Sequence, residues 1–225
     1  MLRKYALISL FCLLIFSPHK TFAQQTIFNV PSADVTEKNQ IFTQFEGQFS
    51  DDFGLFTNYA AYGIGYMTEL DLTLTGYGSK KFRNEVLLAG FKSSFPIYKY
   101  DTKLTVGHLI PISLRGNGVG GYSYSHLSSV IPKLKTRVTS GVLVATSTIF
   151  GKDTVCYIAG LEHPVNDKLA IILDYTSGSH SNGLLIAGVS YKFTPKTTLY
   201  AGYQIPNSSK YGDHGFVVEL AKVFR

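Results

Sequence analysis

Few residues in this chain have the types and spacing for chemistry. His126 and Ser128 stand two apart in the run Tyr122 to Ile131, so an extended backbone turns both to one side. A serine beside a histidine is the start of an acyl-transfer nucleophile, with the imidazole as base and a third polar group to orient the ring. Tyr122, Tyr124 and Val130 share that face, and the following stretch offers no carboxylate to orient the histidine. His108, Glu162 and His163 lack the spacing of a metal-ligand set, while His180 and His214 sit in loop sequence and read as solvated. No metal or other cofactor is expected.

The elements that carry these residues start with an export signal. Arg3 and Lys4 give a positive start, Ala6 to Phe16 is a short apolar run, and Thr21-Phe22-Ala23 is a cleavage sequence. Residues 1–23 are therefore expected to be removed, leaving Gln24 first. Leu10-Phe11 before Cys12 lacks the small residue of a lipid-anchor box. The removed segment holds Arg3, Lys4 and Lys20 and no acid, so the formal charge of +6 falls by three to +3. That is too little to argue for a nucleic-acid partner. Cys156 is then the only cysteine left, which excludes an internal disulfide and a thiolate metal cluster.

Residues 24–40, broken by Pro31-Ser32-Ala33-Asp34, read as a periplasmic arm, with a place in the barrel mouth as the lesser reading. From Ile41 onward the sequence alternates. Phe45 opposes Glu46, Leu72 opposes Asp71, Ile171 opposes Ile172, and Leu220 opposes Glu219. The alternating segments recur about every 15–18 residues, as strands of roughly 9–11 residues with connections would. No stretch keeps the 3.6 period of a helix, and no apolar run beyond the signal is long enough for a membrane helix, so insertion would have to use strands. Pro96 is expected to end the fourth strand. In the fifth, Lys103 to Ile112, an outward Leu104, Val106 and Ile110 brings His108 with them and leaves the facing open.

The final stretch, Gly215 to Arg225, is the sharpest of these. Phe216, Val218, Leu220 and Phe224 fall on one face and Val217, Glu219, Ala221 and Val223 on the other. It resembles the closing strand of bacterial outer-membrane β-barrels, although Arg225 follows the terminal aromatic. Over nearly the whole mature chain the pattern is similar to small porin-like barrels. The resemblance implies an all-β fold over residues 41–225: a transmembrane antiparallel up-and-down barrel of about twelve strands, with ten as the alternative. It also implies short periplasmic turns, modest outer loops and a bacterial outer-membrane location. A secreted soluble β-sandwich is the competing fold, and the low share of charged residues, 16%, argues against it.

With the apolar faces outward, Glu46, Glu69, Asp71, Lys92, Lys103, Arg137, Glu162, Asp174, Lys192 and Glu219 line the lumen. Mixed sign argues against a strongly selective pore. No loop is long enough to fold in, so a constriction must come from inward side chains or from the arm. The function expected is a passive channel for small polar solutes. The rivals are a structural or adhesion barrel with a filled lumen and, from a resemblance to outer-membrane lipid hydrolases, an acyl hydrolase using His126 and Ser128. Lys80, Lys81, Arg83, Arg115, Lys152 and Lys210 fall in outer loops, either solvated or in contact with the phosphates of lipopolysaccharide. Outer-membrane lipid and the barrel-assembly machinery, through the last strand, are the partners this implies. Closure would set Glu46 beside Glu219, tolerable with a cation such as Lys192 or Arg137 in reach.

Overall fold

The computed structural model describes residues 26–50, 54–78, 85–114 and 120–225. These hold twelve strands: β1 (Ile41–Phe49), β2 (Gly54–Gly65), β3 (Thr68–Gly78), β4 (Val86–Tyr98), β5 (Thr102–Ser113), β6 (Tyr122–Ile131), β7 (Thr136–Ala145), β8 (Val155–Pro164), β9 (Leu169–Thr176), β10 (Leu184–Thr194), β11 (Thr197–Pro206) and β12 (Gly215–Phe224). Each strand pairs antiparallel with its neighbours in the chain, and β12 returns to β1 to close the barrel. The seam runs in unbroken register from Ile41 opposite Phe224 to Phe49 opposite Phe216. Closure leaves no strand edge for lipid to face, which the membrane interior requires of any sheet. The ten-strand alternative is thereby excluded.

Period-2 alternation decides the facing. In β12 Phe216, Val218, Leu220, Lys222 and Phe224 are exposed, and the intervening residues are buried. Ile41, Phe45, Leu70, Leu72, Ile171 and Leu173 continue the exposed apolar surface around the barrel. In β5 Thr105 and Gly107 point in, so His108 does point out, and its Nδ1 bonds the Ser123 hydroxyl of β6 at 2.7 Å. That cross-strand partner is what lets an imidazole sit among Val106 and Ile110.

Connections at the end where β1 begins are two to four residues long, and most of those at the other end are longer. The β2–β3 turn is made by Tyr66 and Met67, at φ 51° and 58°. Two consecutive left-handed residues match the twist of a two-residue hairpin, here without the usual Asn or Gly. Pro96 does not end β4. The strand runs on to Tyr98, and a register shift between Pro96 and Tyr98 absorbs the missing donor. The β7–β8 connection contains a single helical turn, α1 (Ser147–Phe150), which places Phe150 in the interior.

The largest departure from the sequence reading is the arm. Residues 26–36 pack inside the barrel and not below it as a periplasmic segment, while Glu37, Lys38 and Asn39 are exposed. Thr26 bridges to Pro31 and Ile27 N–H donates to Val30 C=O at 2.7 Å, so residues 26–31 form a tight hairpin. Ile27, Phe28 and Val30 are almost wholly buried and join an interior cluster with Ile158, Ile172 and Ile186 of β8, β9 and β10. Burying side chains of this size contributes roughly 1.5–3 kcal/mol each, which is why an apolar Ile-Phe pair does not stay in water. Glycines make the room: a Cβ at Gly188 or Gly202 would come within 2.8 or 2.9 Å of the Phe28 ring, and one at Gly160 within 2.4 Å of Ile27 Cδ1.

Candidate functional site

Most of the inward charges fall into four groups, and three of these hold the arm. Asp174 of β9 is buried, and its Oδ2 accepts the backbone N–H groups of Phe28, Asn29 and Val30 at 3.0, 2.8 and 2.7 Å. Three successive amides converging on one anion form a backbone nest. Glu69 of β3 pairs with Lys92 of β4 at 2.9 Å, both buried, and its Oε2 accepts the Thr36 N–H at 2.6 Å. Ser94 adds a hydroxyl bond to the Ala33 carbonyl. Asp34, on the arm, lies 3.1 Å from Lys103 and 3.2 Å from Arg137, which also reaches Asp101 at 2.8 Å. Burial pushes the Asp34 carboxyl up, but Arg137 and Lys103 outweigh it and hold it below the ordinary aspartate value.

The fourth group is Glu46 and Glu219, which face each other across the β1–β12 seam. Gln48 and Tyr59 donate to Glu46, and Gln44 donates to Glu219 at 2.8 Å. No cationic side chain is among these partners, contrary to the expectation that Lys192 or Arg137 would serve the pair. Arg137 is taken by Asp34 and Asp101, while Lys192 stands further along the barrel, on the wall of a cavity. Asp71 lies buried on the same inward face of β3 as Glu69.

That cavity, of about 820 Å³, is at the end where the strands' short turns lie. Arg137, Glu162, Lys192, Ser190 and Tyr200 line it from the strands, Lys168 and Lys196 from the turns, and Asp34 from the arm. Its size is in the range that accommodates a small solute, and its charges are of both signs. Toward the opposite end Phe150, His180 and Cys156 pack together in the interior. The Phe150 and His180 rings stack at 4.0 Å, and Asn182 N–H donates to His180 Nδ1 at 3.2 Å. That bond leaves the proton on Nε2, which donates to Cys156 Sγ at 3.0 Å. His180 is buried and stacked, a packed ring and not the solvated loop residue the sequence suggested, and burial lowers its basicity.

His126 and Ser128 both point inward and are buried, as their spacing required. They are not hydrogen-bonded to each other. Ser128 accepts from the Thr139 hydroxyl at 3.1 Å, and neither ring nitrogen of His126 has a hydrogen-bond partner. The histidine stacks on Tyr124 and faces away from the lipid that a lipid hydrolase would have to reach. Of the outer-loop cations, Lys152 and Lys210 are exposed, whereas Lys80, Lys81, Arg83 and Arg115 lie outside the described residues.

Sequence reasoning missed the arm's anchors. The available signal was the combination of an apolar Ile27-Phe28 with three inward glycines on β8, β10 and β11, which leave a hollow an apolar segment can fill.

No family model matches this sequence, and no curated protein matches it. Solved structures do match in fold. The chain is similar to the KdgM porin in complex with disordered oligogalacturonate, with a TM-score of 0.60 at 11% identity, over 83% of this chain and 99% of that one. A second KdgM porin structure gives 0.55 at 8% identity, over 83% and 98%. The Acinetobacter baumannii outer-membrane protein Omp33 gives 0.50 at 10% identity, over 84% and 98%. The chain has the closed twelve-stranded antiparallel fold of outer-membrane porin barrels.

Proposed function

We propose that this chain is a bacterial outer-membrane channel for small polar solutes whose own amino-terminal arm restricts the passage. The observation that carries the reading is the cavity of about 820 Å³, lined by charges of both signs, that leads from the turn end up to Asp34 of the docked arm. Arg137 and Lys192 against Glu162 and Asp34 give a polar path without a ladder of one sign, which suits weak selectivity. The arm is held by hydrogen bonds and ion pairs to β3, β4, β5, β7 and β9, contacts that a local change can break without unmaking the barrel. The reading carries with it cleavage near Ala23, contact of Lys152 and Lys210 with lipopolysaccharide phosphates, and recognition of β12 by the assembly machinery.

Planar-bilayer recording tests it. The full mature chain is expected to conduct little and in brief openings, and a chain lacking residues 24–36 to conduct steadily. A shortened chain that inserts, shows heat-modifiable gel migration and passes no current overturns the channel. That outcome would favour a filled structural barrel, the second reading, for which the apolar packing of Ile27, Phe28 and Val30 in the lumen already speaks.

A further inference from the structure

Among the described strand residues, Lys222 is the only Lys, Arg, Asp or Glu on the outward face of the barrel. Its cross-strand neighbours on that face are Thr43 of β1 and Thr197 of β11, so no carboxylate stands beside it. An ammonium and two hydroxyls thus form one row across β11, β12 and β1. The row lies at the short-turn end, just before Phe224, which pairs with Ile41 at the start of β1. Lys222 Nζ leans toward that end, 4.8 Å from the centroid of the Phe224 ring. A lysine stem laid along an apolar wall, with its charge carried to the rim, brings the ammonium to head-group level.

A second observation lies beside the row. The outer wall carries a groove of about 430 Å³, and Lys222 and Thr43 both line it. Ala60 stands between Thr43 and Leu72 in register, and its short side chain leaves a depression among longer ones. One step further from the rim, Leu220, Phe45, Asn58, Leu74 and Leu87 follow one another across β12, β1, β2, β3 and β4, and all five line the groove. Asn58 is satisfied within the wall, by Tyr77 Oη, and the other four are apolar. The groove therefore has a charged, hydroxyl-bearing end at the rim and an apolar floor that runs toward the middle of the wall.

We propose that this groove seats one phospholipid, its phosphate on Lys222, Thr43 and Thr197 and one acyl chain lying over Ala60 toward Leu87. The ammonium brings a point charge and three donors, and each hydroxyl brings one more, to the acceptor oxygens of a phosphate. A second copy of the barrel is the other occupant such a wall could take. It would meet Lys222 without a carboxylate, because the outward strand faces hold none. With the short turns periplasmic, as the reading above has them, the row stands in the periplasmic leaflet, where the phosphates are those of phospholipids and not of lipopolysaccharide. A lipid so held spans β11, β12, β1 and β2 and bridges the seam at which the barrel closes.

The test titrates the full mature protein, purified in detergent, with phosphatidylglycerol and, in a second arm, with diacylglycerol of the same chains. Bound lipid is read by native mass spectrometry. One phosphatidylglycerol per barrel is expected to be retained, and diacylglycerol at least tenfold more weakly, since hydrogen bonds to a charged group are the strong ones. Lys222→Gln should lose about the same factor and Lys222→Arg should keep most of the binding. Lys133→Gln removes an exposed cation at the same end, between β6 and β7, and should change nothing. Ala60→Phe fills the depression and should weaken binding with the charge intact; where it does not insert, Ala60→Leu is read the same way. Equal retention of the two lipids, undiminished retention in Lys222→Gln, or an equal loss in Lys133→Gln overturns the proposal. So does a lipid-free oligomer that dissociates in Ala60→Phe, because a second copy would then cover the groove. The proposal rests on the membrane location in that reading and not on conduction. A barrel that conducts and retains no lipid sinks this proposal alone, and one that retains lipid and passes no current sinks the channel alone.

Discussion

Val30 N–H donates to Asp174 Oδ2 at 2.7 Å, across 144 residues of sequence. Phe28 and Asn29 donate to the same oxygen, so one carboxylate on β9 fixes the tip of the arm hairpin. Asp174→Leu strands three N–H groups, those of Phe28 and Val30 buried and costing about 1–3 kcal/mol each. The arm should leave the lumen while the barrel stays closed. Proteolysis after Lys38, with gel migration still heat-modifiable, would show it. An arm that stays protected in this variant would mean the apolar contacts of Ile27 and Phe28 suffice. Asp174→Asn keeps a neutral acceptor and should release the arm less, since charged acceptors bind roughly twice as strongly as neutral ones.

Asp34 makes arm docking acid-sensitive. Its folded-state pKa is depressed by Arg137 and Lys103 despite burial. A depressed acid stabilises the docked state above its unfolded value, about 3.9, and that contribution is lost as pH falls through the lower folded value. Arm release, followed by a label at position 28, should therefore have a component below about pH 4 that Asp34→Asn lacks. The same acid profile in both proteins would locate the sensitivity in another carboxylate.

Ile171 and Ala170 are consecutive, yet one faces outward and the other the cavity. Ile171→Lys should cost about 2–4 kcal/mol if it lies near the bilayer midplane, and Ala170→Lys much less, in refolding into lipid vesicles. Thr139 is a poor lumen comparison: it is buried and bonded to Ser128, and it lies across the position where Gly160 meets Ile27. Equal costs at 170 and 171 would contradict the facing of β9.

Phe45 and Leu220 are paired across the seam. Cysteines at 45 and 220 should crosslink in the folded barrel, and cysteines at 45 and 216 should not. Removing Val217 to Arg225 deletes nearly all of β12 and leaves two edges whose backbone groups each cost several kcal/mol in lipid. Insertion should be abolished, and a protease-resistant truncated chain would refute the closure.

Lys92→Met leaves Glu69 buried without its cation, at a cost of about 3–5 kcal/mol. Lys92→Met/Glu69→Leu should recover much of that in urea titration, because the buried pair is then removed as a whole. The arm would still lose the Thr36 anchor. No recovery in the double variant would show that Glu69 holds the barrel mainly through the arm.

The sequence by itself determined which faces point outward and where most strands begin and end. The reason is local: a strand in lipid must repeat with period two, so Leu169, Ile171 and Leu173 declare their side without knowledge of any partner. By the same period His126 and Ser128 share a face. It did not reveal that Pro96 stays within β4, because the register shift that accommodates it belongs to the pairing with β5. Nor did it show that Tyr66 and Met67 would make a left-handed turn. Above all, the tertiary structure decided the fate of residues 26–40. Asp174, Glu69 and Arg137 meet the arm from 144, 33 and 103 residues away. Contacts of that separation have no period to read. They exist only once the closed wall has excluded water and each buried amide and carboxylate must find its partner inside.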